Sequence, residues 1–195
     1  LPVSFAVPSG NVTEEGRQGD PIAWAKRNFH CRCGVLISDD AGASFRLSKT
    51  VGSKALHLIE PRIVELDQGR LLMLIRSMDD KCLFRSYSED GGMTWSEAIA
   101  SEIPNPSAKI LLLRAPAGNI ILVHNPVTGR RECLEAWIGN SDVSIWHKRI
   151  RIGRDLKRNM NYPDGEFDQN GNLRLIWEDA RSIFMAELKQ DDLYQ

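Results

Sequence analysis

The sequence predicts an all-β fold, a β-propeller of consecutive small sheets, on three observations. The first is a repeat. Ser38-Asp39-Asp40-Ala41-Gly42-Ala43-Ser44-Phe45 returns 50 residues later as Ser88-Glu89-Asp90-Gly91-Gly92-Met93-Thr94-Trp95, a shared Ser-x-Asp-x-Gly-x-Ser/Thr-aromatic pattern. The second is an independent repeat in the same phase: turns at Gly69, Gly118 and Gly171, spaced 49 and 53 residues apart, each followed by a Val/Ile/Leu-rich run. The third is that no stretch holds a 3.6-residue apolar period, so helices are minor. Short strands with turn signals at a period near 50 match the size of propeller blades. A β-sandwich would have to reproduce both phases by accident.

Taken in order, the chain opens on an apolar run, Leu1–Phe5, without Met and without a basic segment leading to a cleavage site. That start is read as a cut inside a larger protein. Pro21–Asn28 can form one short helix, and Asn11-Val12-Thr13 is a glycosylation sequon. From Phe5 to Ser38 there are 33 residues, against 12 from Arg76 to Ser88. The surplus, about residues 9–30 with Arg17, Asp20 and Trp24, is expected to be an insertion loop over a channel mouth. The turns Asp67-Gln68-Gly69, Ala117-Gly118-Asn119 and Asn170-Gly171-Asn172 read as hairpins. The strands after them end in polar residues: Arg76, His124-Asn125 and Glu178-Asp179. A worn third copy of the first motif runs from Gly139 to Trp146 and keeps only its aromatic.

The residue types of that motif are structural. Ser38, Asp40, Ser88 and Asp90 can bond backbone N–H groups inside a tight turn. Gly42 and Gly92 can take a positive φ. Trp95 can fold back onto the strands as an apolar plug. Asp40 and Asp90 are therefore read as fold-stabilising.

Composition excludes several classes. The 195 residues carry 25 Lys and Arg against 26 Asp and Glu, a formal charge of −1, so no global field attracts nucleic acid. With 42% apolar residues and five Trp the chain can build a core. No apolar run approaches the roughly 20 residues of a membrane-spanning helix. Cys31, Cys33, Cys82 and Cys133 lack the spacing of a zinc site and read as buried or half-buried free thiols. The four His are dispersed, and no phosphate loop or dinucleotide fingerprint is present, so no cofactor and no metal are expected.

On these motifs the sequence resembles the sialidase (neuraminidase) superfamily, whose Asp-box is the repeat above. The segment Ile59–Arg76 is similar to a central blade of that family. Asn125-Pro126 with arginines shortly after, and then Asn161-Tyr162-Pro163-Asp164, follow in the family's order. The resemblance covers roughly residues 34–189. It implies a sialidase-type propeller, six-bladed in the family, of which residues 1–195 form a partial domain of about three to four blades. It also implies a glycoside hydrolase that removes a terminal sialic acid or related acidic sugar. By position, Tyr162 matches the nucleophile and Glu60 the carboxylate that activates it. Arg76 and Arg131, or its neighbour Arg130, match arginines of the carboxylate clamp. Glu178 matches a late carboxylate that orients the cluster. The family's first arginine and its aspartate acid/base belong to blades upstream, so the isolated chain is expected to need a missing N-terminal half or a second copy. A secreted or extracytoplasmic setting is implied as well.

The chemistry is coherent. Guanidinium groups clamp a carboxylate in bidentate fashion. A neutral Tyr hydroxyl escapes the repulsion that a carboxylate nucleophile would meet at a sugar bearing its own carboxylate, and it needs a base beside it. Other readings stay open. Glu60 and Arg76 can be solvated strand-end charges, Tyr162 a packing aromatic, and Pro163 stands where sialidases more often carry a small polar residue. The alternatives are a non-catalytic carbohydrate-binding or scaffolding propeller, or an enzyme acting on a different acidic sugar.

Overall fold

The computed structural model describes residues 1–8, 24, 28–52, 56–155, 159–179 and 181–194. Among them, four antiparallel sheets follow one another along the chain. The first holds β1 (Pro2–Pro8), β2 (Phe29–Ile37) and β3 (Arg46–Leu47). The second holds β4 (Leu58–Glu65), β5 (Leu71–Ser77), β6 (Cys82–Ser88) and β7 (Ile99–Pro104). The third holds β8 (Leu111–Arg114), β9 (Ile120–His124), β10 (Cys133–Gly139) and β11 (Trp146–Arg154). The fourth holds β12 (Asn161–Phe167), β13 (Leu173–Glu178) and β14 (Ile183–Leu188), and a short helix α1 (Gln190–Tyr194) follows. Four sheets meet the upper end of the expected three to four blades. The expected insertion at 9–30, the helix at Pro21–Asn28 and the sequon at Asn11 fall mostly outside the described residues, and Phe29 already opens β2.

Burial explains the sequence pattern of the two middle sheets. In β5, Leu72 and Leu74 point to the core shared with the third sheet, whereas Met73 and Ile75 point to the core shared with the first. In β9, Ile120 and Leu122 face the second sheet, and Ile121 and Val123 face the fourth. Both faces of these strands are buried, so each reads as a continuous apolar run and not as an alternation. Each buried Leu or Ile contributes about 1.5–3 kcal/mol of transfer free energy. In the fourth sheet β13 does alternate: Leu173 and Leu175 are buried, whereas Arg174 and Ile176 are exposed. Its outward face carries Ile176, Ile183 and Met185, the last two about three-quarters exposed at 75% and 76%. Within that sheet a Cβ on Gly165 would lie 2.2 Å from the carbonyl oxygen of Arg174, so only glycine fits there.

The three hairpin turns form where expected. Gly69, Gly118 and Gly171 all take positive φ. Ala115 N–H donates to the Asn119 carbonyl and Asp168 N–H to that of Asn172, at 2.8 and 2.9 Å. The Asp-box turns also close as expected. Ser88 Oγ accepts from the Gly92 N–H at 2.9 Å, and Asp90 accepts from Thr94 through its N–H and its hydroxyl, at 2.8 and 2.5 Å. Ser38, Asp40, Gly42 and Ser44 repeat these bonds. The worn third copy keeps more than its aromatic. The Asn140 amide donates to Ser144 Oγ at 2.8 Å, and Ile145 N–H donates back to Asn140 at 3.1 Å.

The aromatics of the motif differ. Trp95 packs on the core between the first and second sheets, half-buried, and its indole N–H donates to the Gly92 carbonyl at 2.9 Å. Phe45 is 56% exposed. Trp95→Ala is therefore expected to cost about 2 kcal/mol, below the ~3–5 kcal/mol of a fully buried ring. Thermal unfolding checks this, and a wild-type midpoint would remove the plug role.

The same turns give an acid dependence. Hydrogen bonds from Thr94 and Ser88 hold the Asp90 carboxyl down at about 2, and those from Ser44 and Ser38 hold Asp40 at about 2. A folded-state value below the unfolded one stabilises the protein above about pH 4, and the contribution is lost as pH falls through about 2. Asp90→Asn is expected to lower the midpoint at pH 5 but to flatten its further fall between pH 4 and 2. A variant that tracks the wild-type curve in parallel would show that the Asp90 carboxylate is not the titrating group.

None of the four cysteines is in a disulfide, and burial pushes the Cys33 thiol up to about 12.

Candidate functional site

The antiparallel register puts the sheets' two ends to different uses. Glu65 stands opposite Leu71, and Leu71 opposite Ser88, so the Gly69 hairpin and the Asp-box lie at one end. Ile59 stands opposite Arg76 at the other. The turn end serves as a lock between sheets. Arg114 donates to the Glu65 carbonyl and pairs with Asp67, both at 2.9 Å, and Ser141 donates to Asp67. An open polar hollow of about 510 Å³ at this end is lined by Asp67, Gln68, Arg70, Glu89 and Asp142.

The predicted site residues gather at the opposite end. Glu60 Oε2 accepts from Arg76 Nη1 at 2.8 Å. Arg76 Nε donates to Ser107 Oγ at 3.2 Å. The carbonyl oxygen of Ser107 accepts from Arg131 Nη2 at 2.6 Å, and Arg131 Nη1 donates to Asn161 Oδ1 at 3.0 Å. The Arg131 guanidinium carbon also lies 5.9 Å from the centre of the Tyr162 ring, at cation–π range. One polar chain thus runs from Glu60 in the second sheet to Tyr162 in the fourth. Glu60 spends its carboxylate on Arg76, and no hydrogen bond among the described residues joins it to Tyr162. The Arg76 side chain is 11% exposed and Glu60's 35%, whereas Tyr162 stands 42% open to solvent. Arg130 is exposed in the β9–β10 loop, and Glu178 is exposed in β13 opposite Asn161.

At the same end, the half-exposed carboxylate of Asp164 joins the fourth sheet to the second and third. It accepts from Lys109 at 2.9 Å, from Arg62 at 3.4 Å and from the Gly165 N–H at 3.0 Å. Burial raises its carboxyl, and these donors outweigh burial and leave it lowered. Arg62, Arg76, Lys109 and Arg131 stand against Glu60 and Asp164, a local excess of two positive charges on a chain of net charge −1. Each guanidinium has five N–H donors. The named bonds occupy two on Arg76 and two on Arg131, so both can still address an anion.

Sequence reasoning assigned no role to Ser107, Asn161, Lys109, Arg62 or Asp164, although Asn161 and Asp164 stand in the quoted Asn161-Tyr162-Pro163-Asp164 motif. Arg62 and Asp164 carried a usable signal. Each follows a proline that itself follows a nominated residue, as Glu60-Pro61-Arg62 and Tyr162-Pro163-Asp164. Pro163 is thus the local counterpart of Pro61.

The BNR repeat-like domain family matches residues 12–175. The chain belongs to this family. No curated protein matches this BNR repeat-like chain in sequence. Among solved structures it is similar to the intramolecular trans-sialidase of Ruminococcus gnavus, with a TM-score of 0.70 and 20% identity over 84% of this chain and 39% of that one. It is similar to the NanB sialidase of Streptococcus pneumoniae, with a TM-score of 0.67 and 20% identity over 85% of this chain and 29% of that one. It is also similar to a GH93 α-L-arabinofuranosidase of Fusarium graminearum, with a TM-score of 0.59 and 17% identity over 84% of this chain and 56% of that one. The BNR repeat-like chain therefore has a sialidase-type β-propeller fold and spans less than two fifths of the two sialidase chains.

Proposed function

We propose that the chain carries the arginine and tyrosine side of a glycoside hydrolase site that removes a terminal sialic acid or related acidic sugar. The observation that carries this reading is the chain Glu60–Arg76–Ser107–Arg131–Tyr162, which sets the Arg131 guanidinium beside a solvent-open phenol and ties a second guanidinium, that of Arg76, to it through Ser107. In this reading the sugar carboxylate draws Arg76 and Arg131. Arg76 is then shared with the ligand, and Glu60 is released to take the Tyr162 proton. The Tyr162 oxygen bonds to the anomeric carbon as the glycosidic C–O bond breaks. The departing oxygen collects a proton from an acid outside the set named here, and water later cleaves the sugar–tyrosine bond. Arg130 is held in reserve for the clamp, and Glu178 orients the cluster from β13.

The test is hydrolysis of a fluorogenic sialoside by the full-length protein, with binding of N-acetylneuraminate to residues 1–195 measured beside it. Turnover together with carboxylate-dependent binding supports the reading; absence of both removes it. A second reading, a carbohydrate-binding propeller, draws on the Glu60–Arg76 ion pair, which leaves Tyr162 without a hydrogen-bonded base among the described residues. Binding without turnover in the full-length protein selects it.

A further inference from the structure

Among the described residues, six non-glycine residues take a left-handed backbone. Ala41, Gln68 and Val143 belong to turns at the Asp-box end. The other three are Glu60, Ser107 and Tyr162, with φ of 50°, 56° and 50°. They lie 47 and 55 residues apart, one in each of three successive repeats. Glu60 and Tyr162 sit where pairing of the first strand slips, between Ile59 and Arg62 and between Asn161 and Asp164. Ser107 sits four residues ahead of β8. Two residues after each comes a charged side chain, and of these three Arg62 and Lys109 both donate to Asp164. The three left-handed residues are therefore one structural position repeated. Such a backbone is unfavourable for any residue with a Cβ and persists only where its surroundings impose it. At Ser107 they do so: Asn105 Oδ1 accepts from the Ala108 N–H at 2.7 Å, and the Asn105 N–H is tied to the Lys81 carbonyl at 2.9 Å.

At two of the three repeats this position displays the carboxylate and the phenol of the proposed chemistry. We propose that the third, Ser107, is a positioning residue that holds Arg76 and Arg131 in register, so that both guanidiniums face one carboxylate. The inference rests on the functional reading above. Ser107 is suited to the role because it offers two acceptors in different directions. Its hydroxyl takes Arg76 Nε, and its backbone carbonyl takes Arg131 Nη2. Fixing Nε stops the guanidinium from swinging toward Glu60 alone. Holding Arg131 by a main-chain atom makes that half of the spacing independent of the side chain.

The test uses Ser107→Ala, which deletes the hydroxyl, Ser107→Gly, which also relieves the left-handed backbone, and Ser107→Thr, which restores a hydroxyl. The first readout is hydrogen exchange of the Arg76 Nε–H by NMR in the unliganded protein. The second is the affinity for N-acetylneuraminate and for its methyl ester. Exchange is expected to accelerate about tenfold in the Ala and Gly variants, with affinity for the acid falling about tenfold, a loss in the range of one hydrogen bond to a charged group. Affinity for the ester is expected to stay near wild type, and Thr to recover most of both losses. A Gly variant that is as stable as wild type or more so, yet binds the acid weakly, separates positioning from a merely structural role. Unchanged Nε–H exchange in the Ala variant overturns the proposal. So does accelerated exchange with unchanged affinity for the acid. If the wild-type protein binds neither acid nor ester, the functional reading has failed, and the exchange readout alone decides whether Ser107 positions Arg76.

Discussion

Tyr162→Phe is expected to lower turnover of a sialoside by at least about 10³-fold while changing affinity by no more than about threefold. The substitution removes one oxygen and keeps the ring. That ring stands 42% exposed beside Arg131, so the loss leaves no buried polar atom unpaired and no cavity. The cation–π contact depends on the ring face and survives. What disappears is the atom that, in the proposed reaction, forms the bond to the anomeric carbon. Steady-state kinetics on a fluorogenic sialoside, with inhibitor binding as a control, reads the two effects separately. Turnover within a factor of a few of wild type would show that the phenol oxygen is not the nucleophile.

Arg76→Ala is expected to weaken binding of the acidic sugar by about 100-fold or more. Arg76 is the most enclosed cation of the site, 11% exposed, and it is committed to Glu60 and Ser107 before any ligand arrives. Its removal strips a charge-assisted pair from the ligand carboxylate and leaves Glu60 facing that carboxylate with nothing between the two negative charges. Both effects act in the same direction. Arg76→Lys is expected to recover only part, because an ammonium cannot span two oxygens in one plane. Wild-type affinity in the Ala variant would take Arg76 out of the clamp.

The fold was legible because two unrelated motifs kept one phase. Glycine turns at 69, 118 and 171 and the Asp-boxes at 38 and 88 marked the same ends of successive sheets. The continuous apolar runs of β5 and β9 gave no alternation to read, and their meaning came only from the cores on both sides. Asn140 and Ser144 were missed because Asn can stand in for Asp in a turn while breaking the pattern. Phe45 and Trp95 share a motif but not an environment, since burial depends on what the adjoining sheet presents. In the site, the resemblance to the sialidase superfamily pointed to Glu60, Arg76, Arg131 and Tyr162, whereas the connections among them did not show. Ser107 had no signature: its backbone conformation is imposed by Asn105 and Lys81 and leaves no mark in the residue itself.

The strand order within every sheet is the order of synthesis, and every ladder is antiparallel. Each blade can therefore close its own hairpins as soon as its roughly 50 residues exist, without waiting for a distant segment, and loop-closure entropy stays small for the first contacts made. Blades then dock sideways, each burying one more apolar layer, in the manner of a repeat array whose growth can start anywhere and spread to its neighbours. The middle layers gain from both sides, so local opening is hardest at β5 and β9 and easiest at the outward face of β14. The linked cluster of Glu60, Arg76, Ser107, Arg131 and Tyr162 is assembled last in such a sequence, since these residues come into register only when the second, third and fourth sheets have all docked.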